Sequence, residues 1–392
     1  VKILFLSQRV PYPPNRGDKI TTWRLIERLQ RDHEVAVVAF AHDKADVQGA
    51  RELRELGYDV TDIPLNLRRA KLLASPLLFT NRSLTQGVFG SARLQSEVDR
   101  RLGWADAAYA FSSSMGDFLL DRGLPWVMHF AELDSDKWRQ YAESKSFPLN
   151  FIYRRECRTL LRYERRLAAD AVTNVFCTPL EQDLFKEQIP GRLSAVVRNG
   201  VDLEYFQPQP ELREPEHLMF TGVMDYFPNV DGCVHFVEEV LPLVRTRFPD
   251  CRFTIVGSRP APEVERLGQV PGVAVTGFVD DIRTYLGRAA ISVAPLRVAR
   301  GIQNKVLEAL ACGLPVVGTT SATQGVEGKA GQDFILADSA RDQADAIIRL
   351  LRNPDEARAL GQRARTFVEE NYDWSRTLQA FDAVLEQLQE RI

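Results

Sequence analysis

Cysteine, histidine and methionine are scarce in this chain, with five, five and four copies in 392 residues. The cysteines, Cys157, Cys177, Cys233, Cys251 and Cys312, are scattered, odd in number and without Cys-x-x-Cys spacing. That argues against a disulfide framework and against a zinc site, and it fits a reducing cytoplasm. Few histidines and no clustered ligand spacing lead us to expect no tightly bound metal and no resident cofactor. No apolar run approaches the ~18 residues that a transmembrane helix needs. The opening run, Val1-Lys2-Ile3-Leu4-Phe5-Leu6-Ser7, is too short for the apolar core of a signal peptide. A large charge excess is also missing: 50 basic and 53 acidic residues give a net charge of −3, so no nucleic-acid partner is expected.

What is present is the composition of a soluble globular protein, 45% hydrophobic and 26% charged, long enough for two or three domains. Short β-rich runs alternate with helical patterns, which predicts α/β architecture with parallel sheets built from βαβ units. Strands are expected near 2–7, 34–40, 58–63, 107–111, 126–130, 171–177 and 194–197, then near 218–222, 252–257, 273–276, 291–295, 315–318 and 334–337. Two consecutive series of that kind predict two doubly wound, Rossmann-like domains, 1–205 and 206–373. The Pro-, Glu- and Gln-rich stretch 206–216 reads as their linker. Charge is uneven: residues 1–205 carry 30 basic and 27 acidic side chains, whereas the remainder carries 20 and 26. Within 63–96 there are five basic residues and no acidic one, interleaved with leucines and Phe79. That pattern suits either a solvated helix with one buried face or a peripheral contact with an anionic membrane.

The most informative stretch runs from Gly301 to Val317: a glycine-led loop, a short helix, a glycine stop and a buried strand. On a helical wheel Val306, Leu307, Leu310 and Ala311 share one face, and Lys305, Glu308, Ala309 and Cys312 share the other. The first face would pack on a sheet while Lys305 and Glu308, one turn apart, project into a cleft. Free backbone N–H groups near Gly301, Ile302, Gln303 and Asn304 form a ready anion site. A cation beside it suits a diphosphate, and a carboxylate one turn deeper can accept hydrogen bonds from ribose hydroxyls.

This segment resembles the donor-binding signature of retaining glycosyltransferases of family 4, in which a Glu-x7-Glu pair flanks the same loop. Glu308 matches the second glutamate and is followed by the typical Ala-Leu-Ala-Cys-Gly-Leu-Pro-Val-Val. Arg300 stands at the first, which in the family usually contacts the transferred sugar. The resemblance implies a GT-B fold, two domains facing a cleft, with a C-terminal helix (374–392) packing back on the N-terminal domain. The run Glu369-Glu370-Asn371-Tyr372-Asp373-Trp374 matches the closing segment of that fold.

Other motifs fall around this signature. The loop Pro11-Tyr12-Pro13-Pro14-Asn15-Arg16-Gly17-Asp18-Lys19 follows the first strand. In GT-B enzymes that loop faces the cleft, so Arg16, Gly17, Asp18 and Lys19 are candidates on the acceptor side. His129, at a strand end, resembles the family histidine that touches the donor sugar near the reacting carbon, and it can equally be a satisfied structural group. Asp134 and Asp136 are the fallback candidates. The Asn-Gly turn in Val197-Arg198-Asn199-Gly200-Val201-Asp202 matches the family's hinge loop and is structural. The loop opened by Gly222 lacks the arginine and lysine that many family members place against the diphosphate. Lys305, Arg300, Arg297 and the helix-end amides would then carry more of that charge. Gly257 and Ser258 end the next strand, and the backbone at Phe278 and Val279 would hold the base.

Four runs look like one branch: Pro-Tyr-Pro-Pro with Gly-Asp-Lys, Asp-Ser-Asp-Lys-Trp, Met-Asp-Tyr-Phe-Pro-Asn and Arg-Gly-Ile-Gln-Asn-Lys. The branch is the sugar transferase of exosortase (PEP-CTERM) systems, associated with bacterial exopolysaccharide genes. The resemblance implies metal-independent, retaining transfer from a UDP- or GDP-sugar to a lipid-linked glycan, with Lys305, Glu308 and His129 as catalytic candidates and domain closure excluding water. A cytoplasmic protein, peripheral on the inner face of the membrane, is expected. Two other readings stay open at this point: a nucleotide-sugar 2-epimerase on the same scaffold, and a non-catalytic nucleotide-sugar-binding scaffold.

Overall fold

The computed structural model describes residues 1–144 and 146–392 and divides into two compact units, Val1–Arg198 with Leu378–Ile392, and Asn199–Thr377. Each unit holds one wholly parallel sheet. In the first, β1 (Lys2–Ser7), β2 (Glu34–Ala41), β3 (Asp59–Pro64), β4 (Ala107–Phe111), β5 (Trp126–Ala131), β6 (Thr173–Phe176) and β7 (Ser194–Val196) lie in the order β3-β2-β1-β4-β5-β6-β7. In the second, β8 (His217–Thr221), β9 (Arg252–Val256), β10 (Val273–Val275), β11 (Ile291–Ala294), β12 (Val316–Gly318) and β13 (Ile335–Leu336) lie in the order β10-β9-β8-β11-β12-β13. All thirteen expected strands form, most of them within a residue or two of the expected bounds.

The residues explain the sheets. Strand β1 is apolar on both faces because helices cover both sides of a parallel sheet. Its alternation sends Leu4 and Leu6 into one core, with Leu160 and Leu167, and Ile3 and Phe5 into the other, with Trp23 and Leu25. Phe5 is wholly buried and stacks on Tyr109 at 5.2 Å. Truncating a side chain so placed costs about 3–5 kcal/mol. The final helix, Trp374–Gln389, contributes Phe381, Val384, Leu385 and Leu388 to that second core. Residues from Leu378 onward therefore belong to the first unit, the return expected for the C-terminal helix.

The units divide at Arg198/Asn199 rather than at 205/206, and the stretch 206–216 is no free linker. Val201 donates its N–H to the Tyr372 carbonyl at 2.8 Å. Arg365 donates to the carbonyls of Phe206 and Ala311 at 2.6 and 2.7 Å, and Arg213 to that of Gly313 at 2.5 Å. The stretch is polar in composition, but it is tied to the second unit by arginines supplied from its own sequence and from far downstream.

Candidate functional site

In each sheet the strand order reverses beside the first strand, between β1 and β4 and between β8 and β11. Ligands of open α/β sheets bind beyond the carboxyl ends of the strands at such a reversal. In the second unit, strand packing there depends on glycine. Gly257 has φ +153°, and a Cβ on it would lie 1.7 Å from the Gly222 carbonyl oxygen. The loops after β8 and β9 can therefore run side by side, with Met224 donating to the Ser258 carbonyl at 2.9 Å.

Helix Asn304–Ala311 follows the loop after β11. Gly301 adopts φ +60°, the left-handed region that glycine enters without strain, and Gly325 makes room for it: a Cβ there would lie 2.2 Å from the Gly301 oxygen. The residue preceding the helix, Gln303, does not cap it; its side chain donates instead to the Arg300 carbonyl at 2.7 Å. Among the described residues no acceptor meets the N–H groups of Asn304 and Lys305. The positive end of the helix is left open.

Lys305 and Glu308 are both largely withdrawn from water. The Lys305 ammonium donates to Asn229 Oδ1 at 2.6 Å and sits over the Phe220 ring, 4.8 Å from its centroid. Burial lowers its pKa to about 8, against the opposing pull of Cys233 and Glu308. Glu308 is pushed up to about 7 by burial, partly offset by Lys305. Its carboxylate receives no hydrogen bond from any described residue. A half-buried carboxylate with no donor is costly unless something else supplies one.

Sequence reasoning missed Asn229. It is buried, accepts from Lys305 and donates to the Val223 carbonyl at 2.8 Å. Its own run, Met-Asp-Tyr-Phe-Pro-Asn, was visible, but nothing in sequence links positions 229 and 305. The wheel also misplaced Ala309 and Cys312, which are buried. Helix Pro354–Asn371 covers that side: Arg365 on it reaches the Ala311 carbonyl, and a Cβ on Gly361 would meet the Gly313 oxygen at 2.1 Å. Only Lys305 and Glu308 keep partial access to solvent on that face.

The remaining donor-side candidates divide. Gly222, Gly257 and Ser258 meet beside Lys305. Arg297, after β11, is half-exposed and held bidentately by Asp231, so part of its charge is already answered. Arg300 and Ile302 lie in the Gly301 loop at intermediate exposure. Asn304 accepts from Asn199 at 3.2 Å. Phe278 is strongly exposed beyond β10, and Val279 packs on the edge of the core.

The first-unit candidates are consumed internally. His129 is fully buried, with Nδ1 2.7 Å from the Tyr109 hydroxyl and Nε2 3.8 Å from Cys177 Sγ. Burial depresses it to about 3, so the ring is neutral at physiological pH and packs as a core group. This corrects the donor-contact reading of that histidine. Asp134 accepts from Ser113 at 2.5 Å, and buried Asp136 pairs with Arg139 at 2.6 Å. Arg16 pairs with Asp18 at 2.5 Å beside Gly17, the first residue of helix Gly17–Leu29. Lys19 is buried against Asp46 at 2.8 Å. The cavity at Arg9, Asp18, Lys19 and Phe111 measures only about 10 Å³, enough for a water. A larger open groove of about 530 Å³ lies beyond β2 and β3, lined by His42, Lys44, Asn66, Leu67 and Arg68 among others. Among the described residues no three metal-ligating side chains gather.

Residues 215–353, most of the second unit, match the family model described as glycosyl transferases group 1. The chain is 32% identical over 190 residues to a phosphatidyl-myo-inositol mannosyltransferase of Propionibacterium freudenreichii. That match covers 46% of this chain and 47% of the relative, so the chain spans about half the length of the curated relative it matches. The fold is that of sucrose-phosphate synthase from Thermosynechococcus elongatus (TM-score 0.73, 17% identity, all of both chains). It is also that of Anabaena HepE solved with UDP and glucose (TM-score 0.71, 17% identity, 98% of this chain and 99% of that one). The two Rossmann-like units are thus of the GT-B kind.

Proposed function

We propose that the protein is a retaining, metal-independent glycosyltransferase. It moves a sugar from a nucleoside-diphosphate donor, UDP- or GDP-linked, to a lipid-linked glycan. The observation that carries this reading is the pairing of an open helix end and a half-buried cation with a carboxylate to which no described residue donates. When the glycosidic bond to the diphosphate breaks, negative charge grows on the phosphate oxygens. The Lys305 ammonium and the N–H groups of Asn304 and Lys305 can stabilise it at low cost, because they are already fixed and largely dry. Glu308 is suited to accept the ribose hydroxyl protons that it lacks within the chain. Attack on the face from which the diphosphate leaves needs no protein nucleophile, and His129 supplies none.

The match of 215–353 to glycosyl transferases group 1 and the fold shared with a UDP-binding relative support the donor class. The mannosyltransferase relative supports an acceptor carried on lipid. Within the family the chain is assigned to the exosortase-associated branch of exopolysaccharide synthesis. It would work in the cytoplasm, on the inner face of the membrane.

The test is a thermal-shift screen with UDP, GDP, ADP and their common sugars, on the wild type and on Glu308→Ala. A ligand held only by the folded state at about 100 times its Kd adds about 2.7 kcal/mol. The expected result is a rise in Tm of several degrees with one nucleoside diphosphate, lost in the variant. No rise with any nucleotide, on folded protein, overturns the donor-site reading.

A further inference from the structure

A second surface lies in the first unit, away from the groups just described. Helix Leu67–Ala74, a 3-10 turn Ser75–Phe79 and helix Leu84–Phe89 form a small helical cap. Its large apolar side chains are not covered: Phe79 is 93% exposed, Leu72 73% and Leu73 68%. The segment 147–151 adds Phe147, 82% exposed, and Phe151, 61% exposed. The two stretches, about seventy residues apart in sequence, are bound together. Arg155, one turn beyond Phe151, donates to the carbonyls of Leu77, Thr80 and Arg82. Buried Glu156 accepts the N–H groups of Leu84 and Thr85 at 2.8 and 2.9 Å. The exposed aromatics are thus fixed on one rigid mount.

The charges left unpaired on these two stretches are basic. Arg68, Arg69, Lys71, Arg154 and Arg158 meet no acidic partner among the described residues. Other arginines of the unit are paired, as Arg100 and Arg101 are with Glu97 and Arg82, at the end of the cap, is with Asp117. In a chain of net charge −3, unanswered arginines beside bare phenylalanines and leucines ask for a partner that is apolar within and anionic at its surface. The geometry points to an anionic lipid bilayer as that partner, with Phe79, Phe147, Leu72 and Leu73 entering the headgroup boundary and the arginines meeting phosphates. The same helix offers Leu67 and Arg68 to the 530 Å³ groove, so a glycan carried on lipid would reach that groove directly from the membrane.

The experiment is co-sedimentation of the donor-free protein with vesicles of phosphatidylcholine alone, and with about one part in three phosphatidylglycerol. Binding at least about tenfold tighter to the anionic vesicles, weakening as salt shortens the screening length, is the expected result. Phe79→Ser with Phe147→Ser, and separately Arg68→Glu, Arg69→Glu and Lys71→Glu together, should each reduce it about tenfold without lowering Tm, since these side chains pack on nothing. Leu56→Ser and Leu193→Ser, each 61% exposed elsewhere in the unit, should leave it unchanged. Equal partition to both vesicles, or none to either, overturns the proposal. So does a dimer in sedimentation velocity that Phe79→Ser dissociates, which would make a second copy the occupant. Because no nucleotide is present, failure here is separate from failure of the donor site.

Discussion

The two sheets have the same construction, yet they treat their charges in opposite ways. Beyond β1, Lys19 is buried against Asp46, which also accepts from Arg9 at 3.2 Å and from the His42 N–H at 2.8 Å. Cation and anion are paired, and the cavity beside Lys19, about 10 Å³, admits no more than a water. Beyond β8 and β11, Lys305 is answered by the neutral Asn229, and Glu308 receives no hydrogen bond from any described residue. One edge is electrostatically closed; the other holds two charges that a ligand can complete. The difference separates a charge that maintains the fold from one kept for binding, although a sequence shows both as a lysine in a helix after a strand.

The largest effect should come from breaking the closed side. Lys19→Met leaves Asp46 buried with a weakened set of partners, and removing one member of a buried pair costs about 3–5 kcal/mol. Urea unfolding should show that loss while nucleotide affinity in the surviving folded fraction stays unchanged. The matching change on the open side should go the other way. Lys305→Met removes a charge that burial disfavours, and the ligand-free protein should gain on the order of 1 kcal/mol, about 2–4 °C in Tm. It should also lose its stabilisation by nucleoside diphosphate. A destabilised Lys305→Met would remove the contrast.

A smaller effect lies in pH. Glu308 holds its proton in the fold up to about 7 but releases it near 4.5 when unfolded, so stability should fall as pH rises between those values. Lys305 loses its proton near 8 in the fold but near 10.5 when unfolded, so stability should rise again over that interval. The ligand-free protein should therefore be least stable between about pH 7 and 8, where both groups are charged, and donor binding should peak there. Asn229→Ala should weaken nucleotide affinity about three- to tenfold, less than the full worth of a hydrogen bond to a charged group because Asn229 acts through Lys305. It should also shift the alkaline limb of the binding profile; titration calorimetry across pH reads both.

These contrasts show what a sequence makes visible. Strands were legible because a doubly covered parallel strand must be apolar along its whole length, as in Ile3-Leu4-Phe5-Leu6. Lys305 and Glu308 were legible because a charged pair in an otherwise apolar helix has no packing reason to be there. Asn229, Arg365 and the true division at Arg198/Asn199 were not, since each depends on contacts between residues 76 to 171 positions apart. His129 misled for the same reason: its partners, Tyr109 and Cys177, come from β4 and from the residue after β6, and only the assembled sheet brings them together.

The return of the last helix to the first unit has a consequence for biosynthesis. Phe381 packs edge-on against Tyr109 at 5.5 Å, and Val384, Leu385 and Leu388 complete the core that holds Ile3 and Phe5. The first sheet is translated early, but the side chains that seal one of its faces are translated after the whole of Asn199–Thr377. At about 5–20 residues per second the ribosome leaves the part of that face under the last helix uncovered for on the order of ten to forty seconds, with Trp23, Leu25 and Leu53 covering the rest. Until the 378–392 segment emerges, Tyr109 and its neighbours in that core lack the packing that Phe381, Val384, Leu385 and Leu388 supply.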